Sequence, residues 1–248
     1  MVLAGKNAIV YGAAGSMGGA VARAFAREGA RVFMAGRTVA TLEDVAREIQ
    51  ANGGAAETAQ VDATERGAVD AHADHVAEAA GSVDISFNAI SIPAVQNVPL
   101  VEMSLDDFMK PIVAASRTHF VTATTAARHM TAQGSGVIVL LSATSALEYR
   151  HQMGGFNLAC AAIEALTRSL AGEVGHSGVR VVGLRPNFTP ETVPGMSEED
   201  IPELVDDTIL GRLPRLAEVA DTVVYLASDA AGAMTGAVVN LSCGAIVP

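Results

Sequence analysis

Short apolar runs alternate with longer stretches of helical spacing from one end of this chain to the other, and no other feature narrows its fold so far. Residues 7–12 are apolar and end in glycine, and 16–28 carry Met17, Ala20, Val21, Ala24 and Phe25 at helical spacing before Gly29. Residues 31–35 read as a strand, 39–51 as a helix ended by Asn52-Gly53-Gly54, 55–61 as a strand, 65–80 as a helix and 83–88 as a fourth strand. The beat continues with a helix over 105–133, a strand over 136–141, a helix over 155–174, a strand over 179–184, a helix over 216–228 and a strand over 237–241. Strands that alternate with helices of this length pair in parallel, with helices on both faces of one sheet. No repeat or low-complexity tract interrupts the pattern, so residues 1–248 are expected to form a single α/β domain.

Composition closes off several functions. Half of the residues are hydrophobic and 17% are charged, which supplies a large buried core. Cys160 and Cys243 stand far apart in no paired motif, so neither a disulfide scaffold nor a cysteine metal site is expected. No apolar stretch reaches the roughly 18 residues that span a bilayer, and residues 1–10 lack the basic start of a leader. Sixteen basic against 27 acidic side chains give a net charge of -11, which repels a phosphate backbone. The expectation is a cytoplasmic protein that takes a small-molecule substrate and has no nucleic-acid or membrane partner.

The first strand opens into the first helix through Gly12-Ala-Ala-Gly15-Ser16-Met17-Gly18-Gly19. Glycines there allow a tight turn and let a pyrophosphate approach the backbone, where the helix N-terminus offers free N–H groups and partial positive charge. A glycine cluster alone is weak evidence; between the first strand and first helix of an alternating chain it favours dinucleotide binding. The second strand ends in Ala35-Gly36-Arg37-Thr38. An acidic residue at that point holds a ribose 2′-hydroxyl, whereas Arg37 can pair with a 2′-phosphate, which favours NADP(H) with NAD(H) as the alternative. The plainer reading of Arg37 is an exposed surface arginine. Asp62 can accept from the adenine amino group or cap the helix beginning near Glu65.

These residues resemble the short-chain dehydrogenase/reductase family along essentially the whole chain. The run Tyr11 to Gly18 resembles its TGxxxGxG loop, and Phe87-Asn88-Ala89-Ile90 its NNAG segment, which implies a place near the cofactor for Asn88. Residues 163–173 are similar to its long interface helix, 178–186 to the strand that ends in Pro186, and 211–236 to its C-terminal pattern. The resemblance implies a doubly wound, seven-stranded parallel sheet (a Rossmann fold) and a homotetramer or homodimer. It also implies a lid or substrate loop over about 186–210, with Thr192 near the nicotinamide amide. Asn187 replaces the glycine that follows the family's proline, and Ser242-Cys243-Gly244 replaces its Asp-Gly-Gly.

Family members that reduce carbonyls use an Asn, Ser, Tyr and Lys tetrad. Ungapped counting places those four on Ala115, Ala143, Phe156 and Cys160. Phenylalanine donates no proton, alanine polarises no carbonyl, and a cysteine has neither the charge nor the reach of a lysine. General acid catalysis contributes about 10²–10⁴-fold, so the loss is large. The polar loop Ser142-Ala-Thr-Ser-Ala-Leu-Glu-Tyr-Arg-His-Gln152 holds the replacements to test: Tyr149 and His151 as proton donors, and Ser142 and Ser145 as hydrogen-bonding groups. The plainer reading of each is a solvated loop side chain, and that of Cys160 a small buried hydrophobe.

His72 and His75 sit three apart among Asp70, Asp74 and Glu78, read as an exposed polar helix face with no metal. Ser197 before Glu198-Glu199-Asp200 reads as the capped start of a lid helix. The first reading is an atypical NADP(H)-dependent oxidoreductase that passes hydride to or from a small or medium substrate, with water, Tyr149 or His151 supplying the proton. The alternatives are a catalytically silent NADP(H)-binding regulator or partner subunit, and non-redox chemistry in the same pocket.

Overall fold

The computed structural model describes residues 1–247. Seven parallel strands form one sheet: β1 (Asn7–Tyr11), β2 (Arg31–Gly36), β3 (Ala55–Gln60), β4 (Ile85–Asn88), β5 (Gly136–Leu141), β6 (Val179–Pro186) and β7 (Val238–Leu241). Their order is β3-β2-β1-β4-β5-β6-β7. The chain winds outward from β1 in one direction and then from β4 in the other. The crevice between the carboxyl ends of β1 and β4 is therefore the topological switch point, where open sheets of this type bind ligands.

Among the described residues, six helices cover the two faces, α1 (Ser16–Arg27), α2 (Val39–Ala51), α3 (Arg66–Ala80), α4 (Leu105–Gln133), α5 (Gly155–Val174) and α7 (Leu216–Ala227), and a short α6 (Pro202–Asp206) lies in the segment between β6 and α7. Alternation along each strand sorts the core. Ala8 and Val10 of β1 pack with Val21 and Phe25 of α1 and Val223 of α7, whereas Ile9 and Tyr11 pack with Val69 of α3 and Ala123 of α4. Fully burying a side chain such as Phe25 contributes about 1.5–3 kcal/mol.

Local chemistry sets the ends of α4 and α5, the helices that flank the candidate site. Ser104 accepts from the Asp107 N–H, and Asp106 and Asp107 place negative charge in the first turn of α4. Gly134, at φ +76, stops the helix. At the start of α5, a Cβ on Gly155 would lie 1.8 Å from the Phe108 carbonyl oxygen, so only glycine lets α5 approach α4 this closely.

β6 runs past Leu184, where the apolar run stops, to Pro186, where the resemblance ends it, because Arg185 and Pro186 pair in register with Asn240 and Leu241 of β7. Two local expectations change. The cap at Ser197 starts only the short 3-10 turn Glu198–Asp200, closed by a box in which Ser197 N–H donates to the Asp200 carboxylate; helix α6 then begins at Pro202. Asp62 does not cap α3. Its Oδ1 accepts from the N–H and hydroxyl of Thr64, and Glu65 is the N-cap residue without a side-chain bond.

Candidate active site

The turn between β1 and α1 has the shape expected of a phosphate cradle. Gly12 holds φ +75, and a Cβ there would come within 2.6 Å of the Ala89 carbonyl oxygen. A Cβ on Gly18 would meet the Gly12 oxygen at 2.3 Å. These two glycines let the β1 turn, the β4 end and α1 touch. Gly15 is the N-cap residue, and the first turn, with Ser16, Met17 and Gly18, has neither a side-chain cap nor an acidic residue. Its N–H groups are left for an anion. This cradle fits the pyrophosphate of a dinucleotide.

Arg37 and Asp62 stand exposed at the carboxyl ends of β2 and β3. Gln60 Nε2 donates to the Arg37 carbonyl at 3.1 Å and fixes that turn. The Asp62 carboxyl is held below its usual range first by the Thr64 N–H, then by the Thr64 hydroxyl, with Arg37 and Arg117 adding positive charge. Asp62 therefore stays ionised with one oxygen committed to Thr64.

Asn88 is buried and engaged at both ends of its amide. Nδ2 donates to Thr122 Oγ1 at 2.8 Å, and Oδ1 accepts from the Ile90 N–H at 3.0 Å. It shapes the turn that touches Gly12. Past Pro186, Asn187 takes no left-handed conformation. Its Oδ1 accepts from Phe188 N–H and from Thr144 Oγ1, tying this segment to the β5–α5 loop. Thr192 lies in the 3-10 turn Pro190–Thr192, where its carbonyl receives the Ser16 hydroxyl at 3.5 Å and its own hydroxyl donates to the Thr189 carbonyl. Glycine loop and β6–α7 segment thus meet.

The four residues counted onto the tetrad lie on α4, on the β5–α5 loop and on the first turns of α5. Ala115 is fully buried, Ala143 and Phe156 are half-buried, and Cys160 is buried. Burial pushes the Cys160 thiol up to about 12, against the opposing pull of the Ala143 backbone. It remains a neutral thiol. One turn below Ala115, His119 is buried with Nδ1 on the Ala115 carbonyl, and its Nε2 has no partner.

The candidate replacements separate. Ser142 is buried and points into the protein, donating to Glu164 Oε1 at 3.1 Å and to the Cys160 carbonyl at 3.3 Å. Ser145 is buried in the 3-10 turn Thr144–Ala146. Tyr149 is 89% exposed, with the Arg150 guanidinium 5.5 Å from its ring centre. His151 is the one that gathers charged partners, Glu148 and Asp207. Sequence reasoning missed Asp207, and also Glu164 with Arg185. The pair had a signal: Arg185 follows the apolar run 181–184 inside one strand, and a charged residue buried there needs a partner.

His72 corrects the reading of α3. Its side chain is buried, edge-on to Tyr11 with ring centres 6.2 Å apart, and Nδ1 has no partner; only His75 faces outward. Helical spacing puts residue 72 with Val69 and Val76 on the buried stripe. Among the described residues no cluster of three or more His, Cys, Asp or Glu could hold a metal ion, and no helix is long and apolar enough to cross a membrane.

A family model described as enoyl-(acyl carrier protein) reductase matches residues 12–245. The chain is 32% identical over 241 residues to the cis-4-hydroxycyclohexanecarboxylate dehydrogenase of Sinomonas cyclohexanicum, covering 96% of each chain. A solved short-chain type dehydrogenase/reductase from Mycobacterium marinum aligns with a TM-score of 0.88 at 31% identity, over 99% of this chain and 97% of that one. A 7α-hydroxysteroid dehydrogenase solved with NADH and 7-oxo glycochenodeoxycholic acid aligns with a TM-score of 0.88 at 27% identity, over 98% and 94% of the two chains.

Proposed function

The chain belongs to the short-chain dehydrogenase/reductase family, a family of oxidoreductases that bind NAD(P)(H), and on that footing we propose that it transfers hydride between NADP(H) and a small or medium substrate without the family's Tyr–Lys acid. The observation that carries this reading is the uncapped N-terminus of α1 behind Gly12, with Arg37 exposed at the β2 end of the same crevice. The α1 amides would hold the pyrophosphate, Arg37 the 2′-phosphate and the free oxygen of Asp62 the adenine amino group. Thr192 and Pro186 would border the nicotinamide. A dinucleotide held there would supply or accept hydride at its nicotinamide ring. The chain orients the substrate beneath residues 186–210, which act as a lid, and handles the proton.

Calorimetric titration with NADPH and NADH tests the reading directly. NADPH is expected to bind, and Arg37→Ala to weaken NADPH by about 10–100-fold with little effect on NADH, the size of a lost charge-assisted hydrogen bond. Equal affinity for both nucleotides in the parent chain would remove the NADP(H) assignment. Absence of heat with either would remove the cofactor reading.

A second reading, a silent NADP(H)-binding partner subunit, is favoured by one observation: Ala143, Phe156 and neutral Cys160 offer no acid at the tetrad positions. NADPH binding without turnover on carbonyl, imine and iminium substrates selects it. Association is supported in either case. Leu105, Met109, Val113 and Phe120 form an exposed apolar stripe on α4, and Phe120 shares a hollow of about 400 Å³ with Ala162, Ile163 and Leu166 of α5. A homodimer or homotetramer through α4 and α5 would cover it.

A further inference from the structure

Glu148, Arg150 and His151 lie in the loop between β5 and α5, and Asp207 terminates α6 in the segment after β6. The two segments meet in one charged knot. His151 Nε2 donates to Asp207 Oδ2 at 3.1 Å and lies 3.2 Å from Glu148 Oε1. The Arg150 guanidinium donates to the other Asp207 oxygen. The Glu148 backbone is fixed in turn, its carbonyl accepting from Asn157 Nδ2 at 3.1 Å. One ring nitrogen of His151 is therefore held between two carboxylates. All of the ring's contacts to the described residues run through Nε2 and none through Nδ1, and the side chain is 29% exposed.

That arrangement fixes the proton bookkeeping of the ring. A neutral imidazole bound to a carboxylate through Nε2 keeps its proton there and leaves Nδ1 bare. When the ring takes a second proton, Nδ1–H becomes its only unheld donor. The backbone is also specialised here. His151 at φ +63 and Gln152 at φ +44 both occupy the left-handed region, and the Gln152 carbonyl is anchored by the Asn97 N–H at 3.0 Å. The groups facing the ring are Glu148 and Arg150 from its own loop and Asp207 from α6; burial pushes the Glu148 carboxyl up, opposed by His151 and Arg150.

We propose that Asp207 and Glu148 are positioning residues that hold His151 as the proton donor and acceptor of this site, an assembly completed only when the 186–210 segment lies over the β5–α5 loop. The proposal rests on the hydride-transfer reading above. As hydride reaches the electrophilic carbon, the π pair of the C=O or C=N bond moves to the heteroatom. The His151 Nδ1–H bond breaks and an O–H or N–H bond forms. The imidazole returns to neutrality with its Nε2–H on Asp207 and regains a proton from solvent. In the oxidation direction the same atoms run in reverse.

Two classes of substrate separate a proton donor from a merely structural histidine. A neutral ketone needs a proton as it accepts hydride, whereas an N-methyl iminium cation needs none. NADPH oxidation by the full chain is measured with a panel of cyclic ketones and with N-methyl-3,4-dihydroisoquinolinium. His151→Gln is expected to lower ketone turnover by about 10²–10⁴-fold and to leave the iminium rate within a few-fold. Asp207→Ala and Glu148→Gln are expected to reproduce the split at about 10-fold or more. Imidazole nitrogen spectra of the histidine-labelled chain, with His151 assigned through His151→Gln, are expected to show its Nε2–H tautomer in the parent and a mixture in Asp207→Ala. An Nδ1–H tautomer in the parent, equal loss on both substrates, or an unchanged ketone rate in His151→Gln overturns the proposal while hydride transfer stands. No NADPH oxidation by the parent with either substrate overturns hydride transfer and this proposal together.

Discussion

Arg185 grips Glu164 with two hydrogen bonds, Nε to Oε1 and Nη2 to Oε2, each 2.7 Å long between buried side chains. The Ser142 hydroxyl adds a third to Oε1. The knot joins β5, α5 and β6 where they carry the loops of the candidate site. Removing one partner of such a pair strands a buried charge at about 3–5 kcal/mol, while an apolar pair of similar volume is often neutral. Glu164→Leu alone is expected to lose that amount in urea unfolding, and Glu164→Leu with Arg185→Met to recover most of it. Equal losses in the single and double variants would contradict this account.

The fold was legible because it depends on period and punctuation. The apolar strand runs, the helical spacing and the glycines after each element suffice to locate seven strands and their main helices along the chain, while the doubly wound sheet came from the family resemblance. The tight turn between β1 and α1 was legible for the same reason: Gly12 and Gly18 act through backbone position. Asp207 was not, because nothing near it in sequence announces His151, 56 positions away. Ser142 looked like a loop hydroxyl. Only the fold puts Glu164, an acid on an apolar helix face, within its reach. His72 was misread because its charged neighbours outweighed the spacing that places it inside.

The close approach at Gly12 sets a second expectation. Alanine there must hold φ +75 with its Cβ 2.6 Å from the Ala89 oxygen. The left-handed conformation alone costs about 1–2 kcal/mol, and the backbone contact adds to it. Gly12→Ala should lower the melting temperature and abolish NADPH heat, whereas Gly53→Ala, also left-handed but facing open space, should lower stability alone. Unchanged NADPH binding in Gly12→Ala would show that this turn is not the cradle.

Restoring the tetrad tests the count that places it on Ala115, Ala143, Phe156 and Cys160. The variant combining Ala115→Asn, Ala143→Ser, Phe156→Tyr and Cys160→Lys is expected to gain ketone reduction by about 10²–10⁴-fold, the range of a positioned general acid. Phe156→Tyr alone should gain far less, because buried Cys160 cannot take the role of a lysine. NADPH absorbance reads both. A folded quadruple variant that binds NADPH without any gain would place the tetrad elsewhere or the substrate out of reach.

Two buried histidines give the fold an acid-sensitive stability. His72 and His119 are both pushed down to about 4, chiefly by burial, with His75 adding to the first and the Ala115 and Leu141 backbone opposing the second. Each is neutral in the folded chain and titrates near 6.5 when unfolded. Between those values the unfolded chain binds more protons, so stability is full above about pH 6.5 and falls as pH drops towards 4, by on the order of 3 kcal/mol for each ring. His119→Phe and His72→Phe remove a titrating group without adding one. Urea unfolding of each between pH 7 and 4.5 should show a shallower fall than the parent. A slope identical to the parent's in both variants would mean that these rings already carry a proton, or reach solvent, in the folded chain.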